Sequence, residues 1–137
     1  MERLQGMSER KIDSLMASYH RCREDEEFVD TFYDLFLAKS DEIAKMFEHT
    51  DFTRQKLMLR ESLLEMLCYS RGMDGVDEDI VKLAERHSGL GIKPEMYAMW
   101  LDSLCDAVQK HDPEYTPEIG QQWRDAMQKG IDFLLSC

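Results

Sequence analysis

Asp77 to Tyr97 read DEDIVKLAERHSGLGIKPEMY, and this stretch decides what kind of fold the chain can make. Ile80, Leu83, Ala84 and His87 fall at i, i+3, i+4 and i+7, the spacing of one helix face. Asp77, Glu78 and Asp79 open the segment where the helix dipole favours negative charge, with Asp77 read as the cap. Gly89 and Gly91 end it, and Lys93-Pro94-Glu95 places proline at the first position of the next helix. The unusual feature is an imidazole on the apolar stripe. Burying it is costly unless its nitrogens find partners, whether hydrogen bonds or a metal. Periodicity by itself favours a satisfied core histidine over a ligand. No second histidine at i+3 or i+4, and no helical E-x-x-H pattern, supports a zinc or di-iron site.

Working outward, the same punctuation repeats. Ser8 caps a first helix with Ile12, Leu15, Met16 and Tyr19 on one face. Asp25 opens a second, with Phe28, Thr31, Phe32, Leu35 and Phe36 in a stripe. Ser40 caps a short third that ends near Phe47, and Asp51 opens a fourth running to about Ser70, with Leu59, Leu63, Met66 and Leu67 together. Beyond Asp77–His87, the sixth turns Tyr97, Leu101, Leu104, Cys105 and Val108 inward until Asp112-Pro113 stops it. Thr116-Pro117-Glu118 starts a seventh, past Trp123, Met127, Ile131 and Leu134. Val, Ile and Thr total only 14 residues, too few for an extensive sheet. The fold class is all-α, and 137 residues make one domain, 1–137.

Composition narrows the function classes. A 43% hydrophobic chain can build a core. Its net charge of −11 repels polyanions, so no nucleic-acid partner is expected. The longest apolar run, Met96–Leu101, is far short of the roughly 20 residues of a membrane span. The start, Met1-Glu2-Arg3-Leu4, has no signal-peptide pattern. Cys22, Cys68, Cys105 and Cys137 are scattered, which suits a reducing cytoplasm with Cys68 and Cys105 as small core residues. His20, His49 and His111 read as surface residues, and the ten methionines as core packing rather than a binding surface. Glycine-rich phosphate loops and the G-x-S-x-G elbow are missing.

The order of features carries more than any one of them. Phe32-Tyr33 precedes Leu35-Phe36, then come Phe47 at a corner, Gln55 in a capped helix, Leu83-Ala84-Glu85-Arg86-His87, and Tyr97 ten residues on. From about Ser8 to its end the chain resembles a bacterial globin, close to single-domain haemoglobins and to the haem domain of flavohaemoglobins. That resemblance implies a three-over-three helical fold around one b-type haem, with His87 as the axial ligand of iron. It also implies that Phe47 wedges against the haem and that Tyr33 projects into the distal pocket as a hydrogen-bond donor to dioxygen. Gln55, thirty-two residues before His87, takes the distal polar position, with Leu59 a turn deeper and Leu83 supporting the ring. The step from Phe47 to Gln55 is shorter than the family's usual one, which makes Lys56 a rival for the distal or haem-edge place. Arg86 or Lys56 is a candidate partner for a propionate. Tyr97 matches a tyrosine near the proximal imidazole. Its companion glutamate, counted from Trp123, would fall just past Cys137, leaving Asp132 as the nearest acidic residue upstream.

The implied function is reversible binding of dioxygen, and of nitric oxide and carbon monoxide, by a cytoplasmic carrier or store, monomeric or homodimeric. The apolar wall of Phe36, Phe47, Leu59 and Leu63 would exclude water. Sustained nitric-oxide oxidation would take its electrons from a separate reductase. Two rivals stand beside this reading: a haem-based gas sensor acting through a partner protein, and a haemless globin-fold regulator.

Overall fold

The computed structural model describes residues 14–73 and 75–136. Ser8, Ile12 and Cys137, used in the sequence reading, lie outside the described residues. Among those residues the regular structure is entirely helical: α1 (14–24), α2 (Phe28–Leu37), α3 (Asp41–Met46), α4 (Phe52–Ser70), α5 (Asp77–His87), α6 (Pro94–His111) and α7 (Pro117–Ser136).

The expected starts and stops are met with two differences. Ser40 Oγ accepts the Ile43 amide, and Asp51 Oδ1 the Thr53 amide, as capping requires. Asp25, however, closes a turn by accepting the Glu27 amide, so α2 begins only at Phe28. Asp77 is the first residue of α5 rather than its cap. Val76 precedes it without a side-chain bond, so the acidic trio acts through the helix dipole. Gly89 and Gly91 both adopt left-handed backbone, with φ of 81° and 71°, and turn the chain sharply from α5 into α6.

The helices stack in two layers. α2, α6 and α7 lie side by side in one, with α2 against α6 and α6 against α7. Across them lie α4 and α5, which pack on each other and on α7. α1 joins this second layer, laying Ser14 on Gln122 and Tyr19 on Trp123 of α7. This is the three-over-three sandwich the resemblance implies. Buried residues from all seven helices form one cluster, with Trp123, Phe32, Leu63, Leu67, Ile80 and Leu104 almost wholly enclosed. Each large side chain so buried contributes about 1.5–3 kcal/mol. Gly130 lets α7 approach α4 closely: a Cβ there would stand 2.6 Å from Met66 Cε.

Polar residues hold one end. Asp112, buried just past α6, accepts from Ser18 Oγ at 2.6 Å, from Arg21 and from the Glu114 amide. Trp123 Nε1 donates to the same Ser18 oxygen at 2.9 Å. Burial pushes the Asp112 carboxyl up, but the Arg21, Ser18 and Glu114 hydrogen bonds outweigh it and hold it below the usual carboxylate range. His111 corrects the surface expectation. Its side chain is only 12% exposed, and it joins Asp25 Oδ2 at 2.6 Å to Thr31 Oγ1 at 2.7 Å. Thr31 therefore faces this bond rather than plain core. Cys22, not singled out from sequence, is fully buried, whereas Cys68 is only half-buried; both thiols and that of Cys105 are free.

Candidate functional site

Between the layers lies a cavity of about 350 Å³, within the size range of ligand pockets. α2 supplies Tyr33 and Phe36, the α3 corner Phe47, and α4 Gln55, Met58, Leu59 and Ser62. α5 and the turn after it supply Leu83, Arg86, His87 and Ile92, while α6 adds Met96 and Tyr97. Residues 55, 59, 62 and 66 follow one face of α4, which is why that helix contributes so much of the lining.

His87 ends α5 with its ring half-buried. Its Nδ1 lies 2.7 Å from the carbonyl oxygen of Leu83, one turn back. A carbonyl can only accept, so Nδ1 carries the proton and donates. Among the described residues nothing bonds to the Nε2 lone pair. The Leu83 bond orients the ring and raises the basicity of Nε2. The Tyr97 ring packs beside it, with centroids 6.4 Å apart and planes tilted by 35°. Burial pushes the Tyr97 phenol up, so it stays protonated. Among the described residues no group of three or more His, Cys, Asp or Glu side chains is placed to hold a metal ion.

On the wall made by α2 and α4 the polar groups are few. Tyr33 is 4% exposed, and its hydroxyl faces the Gln55 carbonyl at 3.5 Å, the outer limit of a hydrogen bond. Burial pushes its phenol up to about 12, with Gln55 opposing slightly. It is therefore a neutral donor at any physiological pH, only loosely engaged. Phe47 and Phe52 pack edge-on against its ring at 6.2 and 5.4 Å.

The structure thus brings Tyr33, Phe47, Gln55, Leu59, Leu83, His87 and Tyr97 onto one cavity. Lys56 stands apart from these. It does not line the cavity but lies round α4 from Gln55, with Nζ 2.6 Å from Asp30 Oδ1. Arg86 borders the cavity, whereas Asp132 is exposed and accepts from Gln128, away from Tyr97. Leu63 is core and not lining. Met46, Met58, Met66 and Met96 all line the cavity, against the expectation that methionines only fill core. Placing them requires knowing which helices border the cavity.

The family model for globins matches residues 30–134. A crystal structure of a Pseudomonas aeruginosa protein, described as structurally highly homologous to a human hemoglobin, is 41% identical in sequence. It superposes with a TM-score of 0.85 over 91% of this chain and 95% of that one. No curated protein is significantly similar.

Proposed function

The chain belongs to the globin family, and from that premise we propose that it seats one b-type haem through His87 and binds dioxygen and other diatomic gases reversibly. One observation carries the reading: the Leu83 carbonyl holds His87 Nδ1 and leaves Nε2, unbonded among the described residues, on an apolar cavity. A lone imidazole is a poor site for a bare ion. It suits a metal that arrives with its other ligands in a large apolar ring, and the leucine, methionine and phenylalanine lining suits that ring. When bound, haem supplies a ferrous centre that takes up diatomic gases.

The chain's residues divide the remaining work. His87 anchors the group, and Leu83 fixes the anchor's direction. Phe36, Phe47 and Leu59 keep water from the cavity. Tyr33 offers a neutral hydroxyl whose bond to Gln55 is long enough to exchange for one to a polar ligand. Gln55 adds a second polar group beside it, and Arg86 stands where a propionate can be paired.

Optical spectra of the purified protein, oxidised, reduced, and reduced under carbon monoxide, test this directly. A Soret band that shifts with each state is expected. A chain that stays colourless after reconstitution with haemin would overturn the proposal and leave the haemless regulator.

A further inference from the structure

The Lys56–Asp30 pair lies outside the cavity lining, yet it joins the two helices that carry the cavity's polar pair. Asp30 stands one turn before Tyr33 on α2, and Lys56 follows Gln55 directly on α4. The other contacts between Tyr33 and the start of α4 are loose. The hydroxyl reaches the Gln55 carbonyl at 3.5 Å, too long to fix a spacing, and the edge-on contact with Phe52 at 5.4 Å tolerates sliding. At 2.6 Å the ion pair is the short, directional link in this region.

We infer that Asp30 and Lys56 are positioning residues, whose ion pair sets the distance between the Tyr33 hydroxyl and the first turn of α4. The same bond commits the Lys56 ammonium to α2, so that Gln55 alone of the two borders the cavity. Both partners reach solvent, Lys56 at 35% and Asp30 at 54% exposure, so dissolved salt weakens the pair. The Tyr33 side of the cavity is therefore sensitive to ionic strength, whereas His87, tied to a carbonyl of its own helix, is not.

The test uses the full chain labelled with 3-fluorotyrosine, the Tyr33 fluorine line being assigned by its loss in Tyr33→Phe. Without added haem, Asp30→Asn and Lys56→Gln should each shift that line. Raising sodium chloride to about 0.5 M, where screening is strong, should shift the wild-type line the same way and leave both variants unmoved. The exchanged pair, Asp30→Lys with Lys56→Asp, should restore the original position. A line indifferent to salt and to both single changes overturns the inference, and the salt arm decides it even if a variant folds poorly. A second arm rests on the proposed gas binding: in haem-loaded protein at low salt, both single variants should release oxygen about twofold to fivefold faster. Equal rates there would also count against the tether. Failure of the chain to take up haem would instead sink the gas-binding proposal and leave the fluorine result standing.

Discussion

The junction of α1 with the end of α6 and with α7 buries polar side chains, and so does the cavity wall made by α2 and α4, but the two treat them in opposite ways. At the junction Asp112 takes hydrogen bonds from Ser18, Arg21 and a backbone amide, and Ser18 takes another from Trp123. Its bonding capacity is consumed inside the protein. Among the described residues Tyr33 on the cavity wall has one polar contact, at 3.5 Å, and across the α5–α6 side His87 keeps Nε2 unbonded. Saturated polar groups convert burial into rigidity. Groups left partly unpaired keep their capacity for something that is not protein.

That contrast can be broken or sharpened by experiment. The largest effect should come from His87→Ala, which removes the proposed axial ligand: the haem spectrum of the reconstituted protein should lose its ligated form, and an unchanged ferrous spectrum would refute the assignment. Next is Asp112→Ala, which leaves Arg21 with only the exposed Glu114 as an ionic partner and Ser18 without its acceptor. It should lower unfolding free energy by about 1.5–3 kcal/mol in denaturant titrations while oxygen release stays nearly constant. Because the Asp112 and Asp25 carboxyls are held below their ordinary 3.8, Asp112 by bonds that outweigh burial and Asp25 chiefly by His111, their stabilisation is present above that value. It should fade as pH falls through the lowered values, and Asp112→Ala should flatten that acid limb.

Tyr33→Phe should do the reverse. A donor bond to a charge-bearing ligand is worth about 1.5–3 kcal/mol, so oxygen release should quicken roughly tenfold to a hundredfold, with stability little altered because the bond it loses is long. An equal release rate in stopped-flow displacement would show that Tyr33 is not the donor. The smallest effect near neutrality is titration of the buried thiols and phenol. Burial raises Cys105 to about 11, and Cys22 and Tyr33 to about 12. The unfolded chain releases these protons first, from the ordinary 9 for thiols and 10 for the phenol, so stability should be flat at pH 7 and fall between 9 and 12. Flat alkaline unfolding curves would contradict that burial.

The helices and their order were legible because caps, prolines and the stripe of Ile80, Leu83 and Ala84 are local signals. His87 was visible as an anomaly on that stripe, though its spacing could not separate a ligand from a satisfied core residue. What the sequence hid is long-range. Asp112 reads as a helix stop and His111 as a helix end. Their partners Ser18, Arg21, Asp25 and Thr31 stand 80 to 94 positions away, where no periodic pattern reaches. Choosing between Gln55 and Lys56 needed the phase of α4 to within one residue. Asp30, an ordinary surface carboxylate in sequence, settles where Lys56 goes.

The bond between the His87 imidazole and the Leu83 carbonyl has a mechanical consequence. The ring's hydrogen bond runs to its own helix, while Tyr97 of α6 only packs beside it, so pulling on the ring drags the last turn of α5. Displacement of whatever the ring holds would be passed along an eleven-residue rod to the acidic trio at its far end. The anchor is thereby also a lever arm.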